Sequence, residues 1–369
     1  MNKIALRRTW FQVHKWLGLV LGLLIIPLSL SGSALVWDGW LDETLHPARH
    51  AASLGTPALP AAAYAEAALR GAAPGERISS LRYPEREGAI VAILSGEPKS
   101  RAGRPPRTQV WLDPASAREI ERADADAGIL RVLHVLHGSL MVPGFGRQIV
   151  GWIGVAMLIS SLTGLWLWWP PTGSFGRGLR WRRQNSTNAN IHHQTGFWIA
   201  IPLAMLSFTG AWISFPAFFA NISGDKAPGG ADKARAARAR PLAEPVLGAD
   251  AALGAARPLA TGNLVTITWP TDRAPEWKIT FSREGGNAEV EVDDASGRAE
   301  PSGPPRPETV ARKMRRWHDG NGMGPIWQII IFLGGTAPAV LAVTGSMMWL
   351  RSRGWRARLK ERRNRPARA

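Results

Sequence analysis

The sequence predicts an α-helical membrane bundle of four transmembrane helices, built as a tandem duplication, with two small α+β modules outside the membrane. Three observations carry this prediction. Four windows are apolar and free of Asp, Glu, Lys and Arg, and each is roughly 20 residues or longer, enough to cross a hydrocarbon core. Long polar stretches separate the first window from the second and the third from the fourth. The residue pattern of the first half returns in the second at a near-constant offset.

Span 1 runs from about Trp16 to Trp37, span 2 from Ile149 to Trp169, span 3 from Gly196 to Phe219 and span 4 from Ile326 to Leu350. Span 1 is too long for the apolar region of a cleaved signal peptide, and no small-residue cleavage site follows it closely, so it reads as a retained helix. Trp16, Trp37, Trp168, Trp169, Trp349 and Trp355 lie at span ends, where interfacial belts form. Pro27, Pro202 and Pro338 fall inside spans, where a neighbouring helix can satisfy the freed carbonyl.

Basic flanks set the orientation. Lys3, Arg7, Arg8 and Lys15 precede span 1; Arg177, Arg180, Arg182 and Arg183 lie between spans 2 and 3; Arg351, Arg353, Arg356, Arg358, Lys360, Arg362 and Arg363 follow span 4. The positive-inside rule places these segments, and both termini, on the cytoplasmic side of a bacterial inner membrane. The domain plan is then residues 1–40 for the N-terminus and first helix, 41–133 for a first periplasmic module, and 134–170 for the second helix. A cytoplasmic loop covers 171–191, the third helix 192–221, a second periplasmic module 222–316, the fourth helix 317–350 and a basic tail 351–369.

Composition excludes several chemistries. The chain has no Cys, which removes disulfides, iron–sulfur clusters, thiolate haem ligation and covalent c-type haem. With 45 Lys+Arg against 28 Asp+Glu the net charge is +17. That excess clusters beside the apolar windows, so it reads as a topological signal and not as a nucleic-acid surface.

The repeat is visible in the spacing of His and Gly. His14, Gly18 and Gly32 return as His192, Gly196 and Gly210, offset by 178. His137, Gly154 and Gly164 return as His318, Gly335 and Gly345, offset by 181. Thr163-Gly164 matches Thr344-Gly345, Trp168 matches Trp349, and Asp113 and Asp294 also stand 181 apart. Both copies run in the same direction, which makes a parallel repeat about an axis along the membrane normal.

Histidines carry the candidate chemistry. The duplication pairs His14 with His192 in one leaflet and His137 with His318 in the other. A lone His at a span end is ordinarily an interfacial side chain, but four preserved as two pairs point to a ligand set. Zinc needs three or four ligands in a tetrahedron, and neither leaflet offers a further carboxylate or thiolate common to both copies. Two axial imidazoles suit a six-coordinate iron, so two b-type haems are expected. Gly18, Gly32, Gly196 and Gly210 supply room for a flat macrocycle, or for close helix packing. His134 stands three residues before His137 and His193 stands next to His192, so either is an alternative ligand. His46 and His50 read as solvated loop residues.

Each outer stretch reads as a helix followed by three antiparallel strands. The first has PALPAAAYAEAALRGA, then ERISSLRYP, AIVAILSG and RTQVWLDP; the second has ADAALGAARPLA, then LVTITWP, EWKITFSR and AEVEVDDASGR. Gly320, Gly322 and Gly324 lack the strand and the Gly-Lys-Ser/Thr of a phosphate loop. The basic stretch from Ala227 to Arg240 reads as a solvated linker.

HKWLGL at His14, LHVLHGSL at Leu133 with GRQIVGWIG and TGLWLWW, HHQTGFW at His192, and WHDG at Trp317 with TGSMMW resemble the PepSY-associated transmembrane family. The resemblance covers nearly the whole chain and implies PepSY-like outer modules. It also implies similarity to di-haem siderophore reductases, with bis-His ligation at His14, His192, His137 and His318. The implied activity is reduction of Fe(III) to Fe(II) in a ferric siderophore, or another periplasmic acceptor, for iron uptake. The chain has no dinucleotide or flavin motif, so the expected donor is a separate cytoplasmic one. Two rival expectations stand beside this: a non-enzymatic, membrane-anchored module that binds peptides or regulates a peptidase, and a metal or siderophore transporter.

Overall fold

A computed structural model describes residues 2–50, 56–85, 87–98, 105–169, 175–181, 184–224, 238–283, 286–303 and 308–364. In chain order the elements are α1 Lys3–Leu35, α2 Asp38–Leu45, α3 Pro47–His50, α4 Ala61–Leu69, β1 Arg77–Arg82, β2 Ile90–Ser95, β3 Arg107–Leu112 and β4 Glu119–Asp124. Then come α5 Ile129–Ser139, α6 Gly146–Trp168, α7 Phe175–Gly178, α8 Thr187–Ser214, α9 Pro216–Ser223 and α10 Ala249–Ala256. The chain continues through β5 Asn263–Thr268, β6 Glu276–Arg283, β7 Gly286–Asp293, β8 Ala299–Pro301, α11 Val310–Asp319 and α12 Pro325–Asn364. They form two compact units. One comprises Met1–Asp38, Val132–Ala227 and Glu308–Ala369; the other comprises Gly39–Arg131 and Pro228–Pro307.

The first unit is helical. Its four long helices, α1, α6, α8 and α12, are apolar and long enough to cross a membrane. α1 packs against α6 and α12, and α8 packs against the same two. Small residues set the close approaches: a Cβ on Gly154 would lie 3.1 Å from the Ser207 carbonyl oxygen, and one on Gly335 would lie 3.3 Å from that of Ser29. Hydroxyls then bond across helices, Ser161 to the Ala200 carbonyl at 2.6 Å and Ser33 to the Phe332 carbonyl at 3.1 Å.

Helix ends are satisfied locally. The Asn2 side chain accepts from the Ile4 amide and that of Ser186 from the Ala189 amide, capping α1 and α8. The last carbonyls of a helix lack partners within it. Arg7 reaches those of α6, donating to Leu167 at 2.5 Å and Trp169 at 3.1 Å, and Arg147 donates to the Ile213 carbonyl near the end of α8. A cation at a helix C-terminus also suits the dipole.

Three sequence expectations change in this unit. Span 3 does not run unbroken to Phe219: α8 stops at Ser214, and α9 starts at Pro216, which has no amide to continue the ladder. The last helix runs past Leu350 to Asn364. Trp168 is not a belt residue; it is 2% exposed and stacks on Phe197, with ring centroids 4.0 Å apart.

The second unit is built on one antiparallel eight-stranded sheet, ordered β4-β3-β2-β1-β5-β6-β7-β8. The sequence suggests two three-stranded modules. The structure gives each stretch a fourth strand and joins the two sets edge to edge through β1 and β5, with Leu81 opposite Ile267. β4, EIERAD, escapes the apolar pattern because it is charged and lies at the sheet edge. α4 and α10 pack on the sheet: Tyr64, Ala68, Ala252 and Ala256 bury against Leu81, Ile90, Ile267, Ile279 and Phe281. The Asp250 carboxylate of α10 accepts from the Ala61 and Ala62 amides at 2.7 and 3.0 Å, capping α4.

The turn after β3 matches the turn after β7 through Asp293, not Asp294. Asp113 accepts from the Ser116 amide and hydroxyl, and Asp293 does the same from Ser296. Asp294 instead accepts from the Val246 and Leu247 amides and from the Trp277 indole.

Two histidine pairs in the helical bundle

His14 lies in the first half of α1 and His192 in the first turns of α8. Their rings meet with centroids 6.4 Å apart and planes crossed at 83°. His137 and His318 come from short helices that precede the second and fourth spans, α5 and α11. A turn separates α5 from α6, with Leu140 and Met141 at positive φ. The corresponding turn before α12 uses Gly320, Gly322 and Gly324, all at positive φ, which is the reason that stretch is rich in glycine. These reversals bring the His137 and His318 rings together, with centroids 6.0 Å apart and planes at 33°.

The pairs sit at opposite ends of the bundle. His14 is near the start of α1, whereas His137 rests against Leu28 and Gly32 near its end. Residues 14 and 28 are separated by about 21 Å along a helix axis at ~1.5 Å per residue.

Each ring is held by a helix other than its own. His14 Nδ1 lies 3.0 Å from the Ser160 carbonyl oxygen and 3.2 Å from the Thr163 hydroxyl. His137 Nδ1 lies 2.8 Å from the Leu28 carbonyl oxygen. His192 Nδ1 lies 2.9 Å from the Thr344 hydroxyl. His318 Nδ1 lies 3.0 Å from the Thr209 hydroxyl.

A carbonyl can only accept, so the Nδ1–H of His14 and His137 donates. The hydroxyls of Thr344 and Thr209 already donate to the carbonyls of Val340, at 2.7 Å, and Met205, at 2.9 Å. Each is left to accept from its histidine. All four rings therefore carry the proton on Nδ1 and keep Nε2 as a lone-pair donor.

Glycine makes room beside each ring. A Cβ on Gly32 would lie 2.4 Å from His137 Cε1, one on Gly164 3.0 Å from His14 Cε1, one on Gly210 3.1 Å from His318 Cε1, and one on Gly345 3.2 Å from His192 Cε1. Each seat is a hydroxyl residue followed by glycine: Ser31-Gly32, Thr163-Gly164, Thr209-Gly210 and Thr344-Gly345. In the sequence, Thr163-Gly164 and Thr344-Gly345 match as repeat positions, with nothing local to mark them as ring seats. The fourfold recurrence of the dipeptide was the available signal.

The remaining candidates fall as follows. Gly32 and Gly210 receive rings of the second pair and do not border His14 and His192. Gly18 stands one turn beyond His14, and a Cβ there would meet no described atom within 4 Å. One on Gly196 would meet only Leu341, at 3.8 Å, among the described residues. His193 lies 6.5 Å from His192, ring to ring, and it is His192 whose ring meets that of His14. His134 is exposed, one turn before His137 on α5. Among the described residues, no three His, Cys, Asp or Glu side chains converge to hold a metal ion.

Four membrane-length helices, with histidines paired at each end, define a multi-span membrane protein whose conspicuous polar sites are imidazole pairs. The chain belongs to the PepSY-associated TM region family, whose pattern matches residues 11–352. All four paired histidines lie inside that match. No curated protein matches the chain.

Proposed function

We propose that this protein is an inner-membrane electron carrier that holds two b-type haems and reduces ferric siderophore in the periplasm for iron uptake. One observation carries the reading: two histidine pairs, each with ring centroids near 6 Å and Nε2 left as the free donor. An imidazole nitrogen binds a first-row metal at about 2 Å and its ring centroid lies roughly 1 Å further back. Two imidazoles clamping one iron from opposite sides thus have centroids about 6 Å apart. The observed separations, 6.4 and 6.0 Å, suit that clamp.

His14 and His192 would hold one haem and His137 and His318 the other; so held, haem supplies reversible one-electron chemistry. The chain's own part is to fix the ligands. The carbonyls of Ser160 and Leu28 and the hydroxyls of Thr344 and Thr209 orient the rings and set their tautomer, as outer-shell partners of metal-binding histidines do. Gly18 leaves space beside His14 that no described residue fills, which suits a flat ring. The matched seats support reading the chain as a tandem duplication with PepSY-like outer modules. The basic flanks support an orientation with both termini in the cytoplasm, where a separate donor delivers electrons.

The test is optical. Purified protein from haem-sufficient cells is expected to be red, to show low-spin b-type bands on dithionite reduction, and to be reoxidised by a ferric siderophore. Colourless protein would refute the reading and favour an anchored peptide-binding module.

A further inference from the structure

The two pairs differ in a way that neither the repeat nor the family accounts for. The first pair is crossed, at 83°, and the second is closer to parallel, at 33°. We infer that the seats act as positioning residues that impose different ligand planes at the two ends, so that the two irons are electronically unlike. This inference rests on the proposed haem ligation.

The physical link is the overlap of each imidazole π orbital with one of two iron d orbitals, the one lying perpendicular to the ring plane. Near-parallel rings raise the same orbital and split the pair, which gives ferric iron a rhombic spectrum with three resolved lines. Crossed rings raise both orbitals alike. The pair stays nearly degenerate, orbital angular momentum survives, and the ferric signal collapses into one feature at very large g. Ligand orientation and hydrogen bonding are among the few levers a protein has over such an iron.

The tethers show which residues set the planes. His14 is pinned by the Ser160 carbonyl at 3.0 Å, the Thr163 hydroxyl at 3.2 Å and the Ser160 hydroxyl at 3.3 Å. His192, its crossed partner, takes its shortest contact from the Thr344 hydroxyl, at 2.9 Å. In the second pair, His137 bonds to the Leu28 carbonyl at 2.8 Å and His318 to the Thr209 hydroxyl at 3.0 Å. No side-chain substitution removes the Leu28 carbonyl. Thr344→Val keeps the β-branched shape and removes the hydroxyl that orients the His192 ring. Thr209→Val does the same for His318 at the other end.

Low-temperature electron paramagnetic resonance of the oxidised full-length protein tests this. Two ferric low-spin signals are expected, one large-g feature and one rhombic set, and His318→Ala should remove only the rhombic set. Thr344→Val should shift the large-g feature and leave the rhombic set in place with both haems retained, and Thr344→Ser should restore it. Thr209→Val should move only the rhombic set, which keeps the test decisive if the Thr344 variant fails to fold. Two haems with the same type of spectrum, or a large-g line indifferent to loss of the Thr344 hydroxyl, would overturn the inference and leave the haem reading intact. Absence of haem would overturn both.

Discussion

Gly32→Ala is the sharpest perturbation among the four ring seats. The added Cβ would stand 2.4 Å from His137 Cε1. Carbon atoms in ordinary contact lie about 3.5–4.0 Å apart, so the ring must retreat by roughly 1 Å or more. An imidazole–metal bond is only about 2 Å long, and a retreat of that size breaks it. Overpacking of this kind also costs about 1–3 kcal/mol. The equivalent changes are milder: Gly164→Ala, Gly210→Ala and Gly345→Ala place the Cβ at 3.0, 3.1 and 3.2 Å, within reach of small ring shifts. A pyridine haemochromogen assay on purified protein should give one haem per chain for Gly32→Ala and two for Gly210→Ala. Full haem content in Gly32→Ala, or loss of the haem at His14 and His192 instead, would refute the reasoning.

Alanine at His137 or His318 should empty one end only, and alanine at His14 or His192 the other, while His193→Ala keeps two haems by the same assay. Gly18→Leu fills space that no described residue occupies and should displace the haem beside His14 without unfolding the bundle, as circular dichroism would check. Asp250→Ala removes the cap on α4; it should weaken the sheet unit by about 1 kcal/mol, seen as faster hydrogen exchange at Ala61 and the residues after it. Burial, then the neighbouring Tyr64 and Asp250, pushes the Tyr83 hydroxyl well above its ordinary pKa. A raised pKa gives stability that is whole below about pH 10 and lost as pH rises through the folded value. Tyr83→Phe should therefore blunt the alkaline loss of the sheet unit in thermal melts.

The four spans were legible because continuous apolar runs of membrane length admit few other readings. Equal spacing from His14 to Gly32 and from His192 to Gly210 exposed the repeat, and the repeat sets His14 against His192. The seats stayed hidden because each ring rests on a different helix: Gly32 shares a helix with His14 yet serves His137. Position along one helix says nothing about which neighbour fills a gap. The joined sheet was hidden for a similar reason, as β1 and β5 pair across nearly two hundred residues of sequence with no local signal at either edge. The charged β4 hid because alternation between apolar and polar residues fails on a strand with little apolar surface to bury.

The central claim is that each histidine pair clamps a flat iron-bearing ring. An experimental density map of the protein purified from haem-sufficient cells tests it most directly. The account predicts planar density between His14 and His192 and again between His137 and His318, with Nε2 of each ring toward the metal. Rings in direct contact, or gaps filled by protein side chains or lipid, would contradict it.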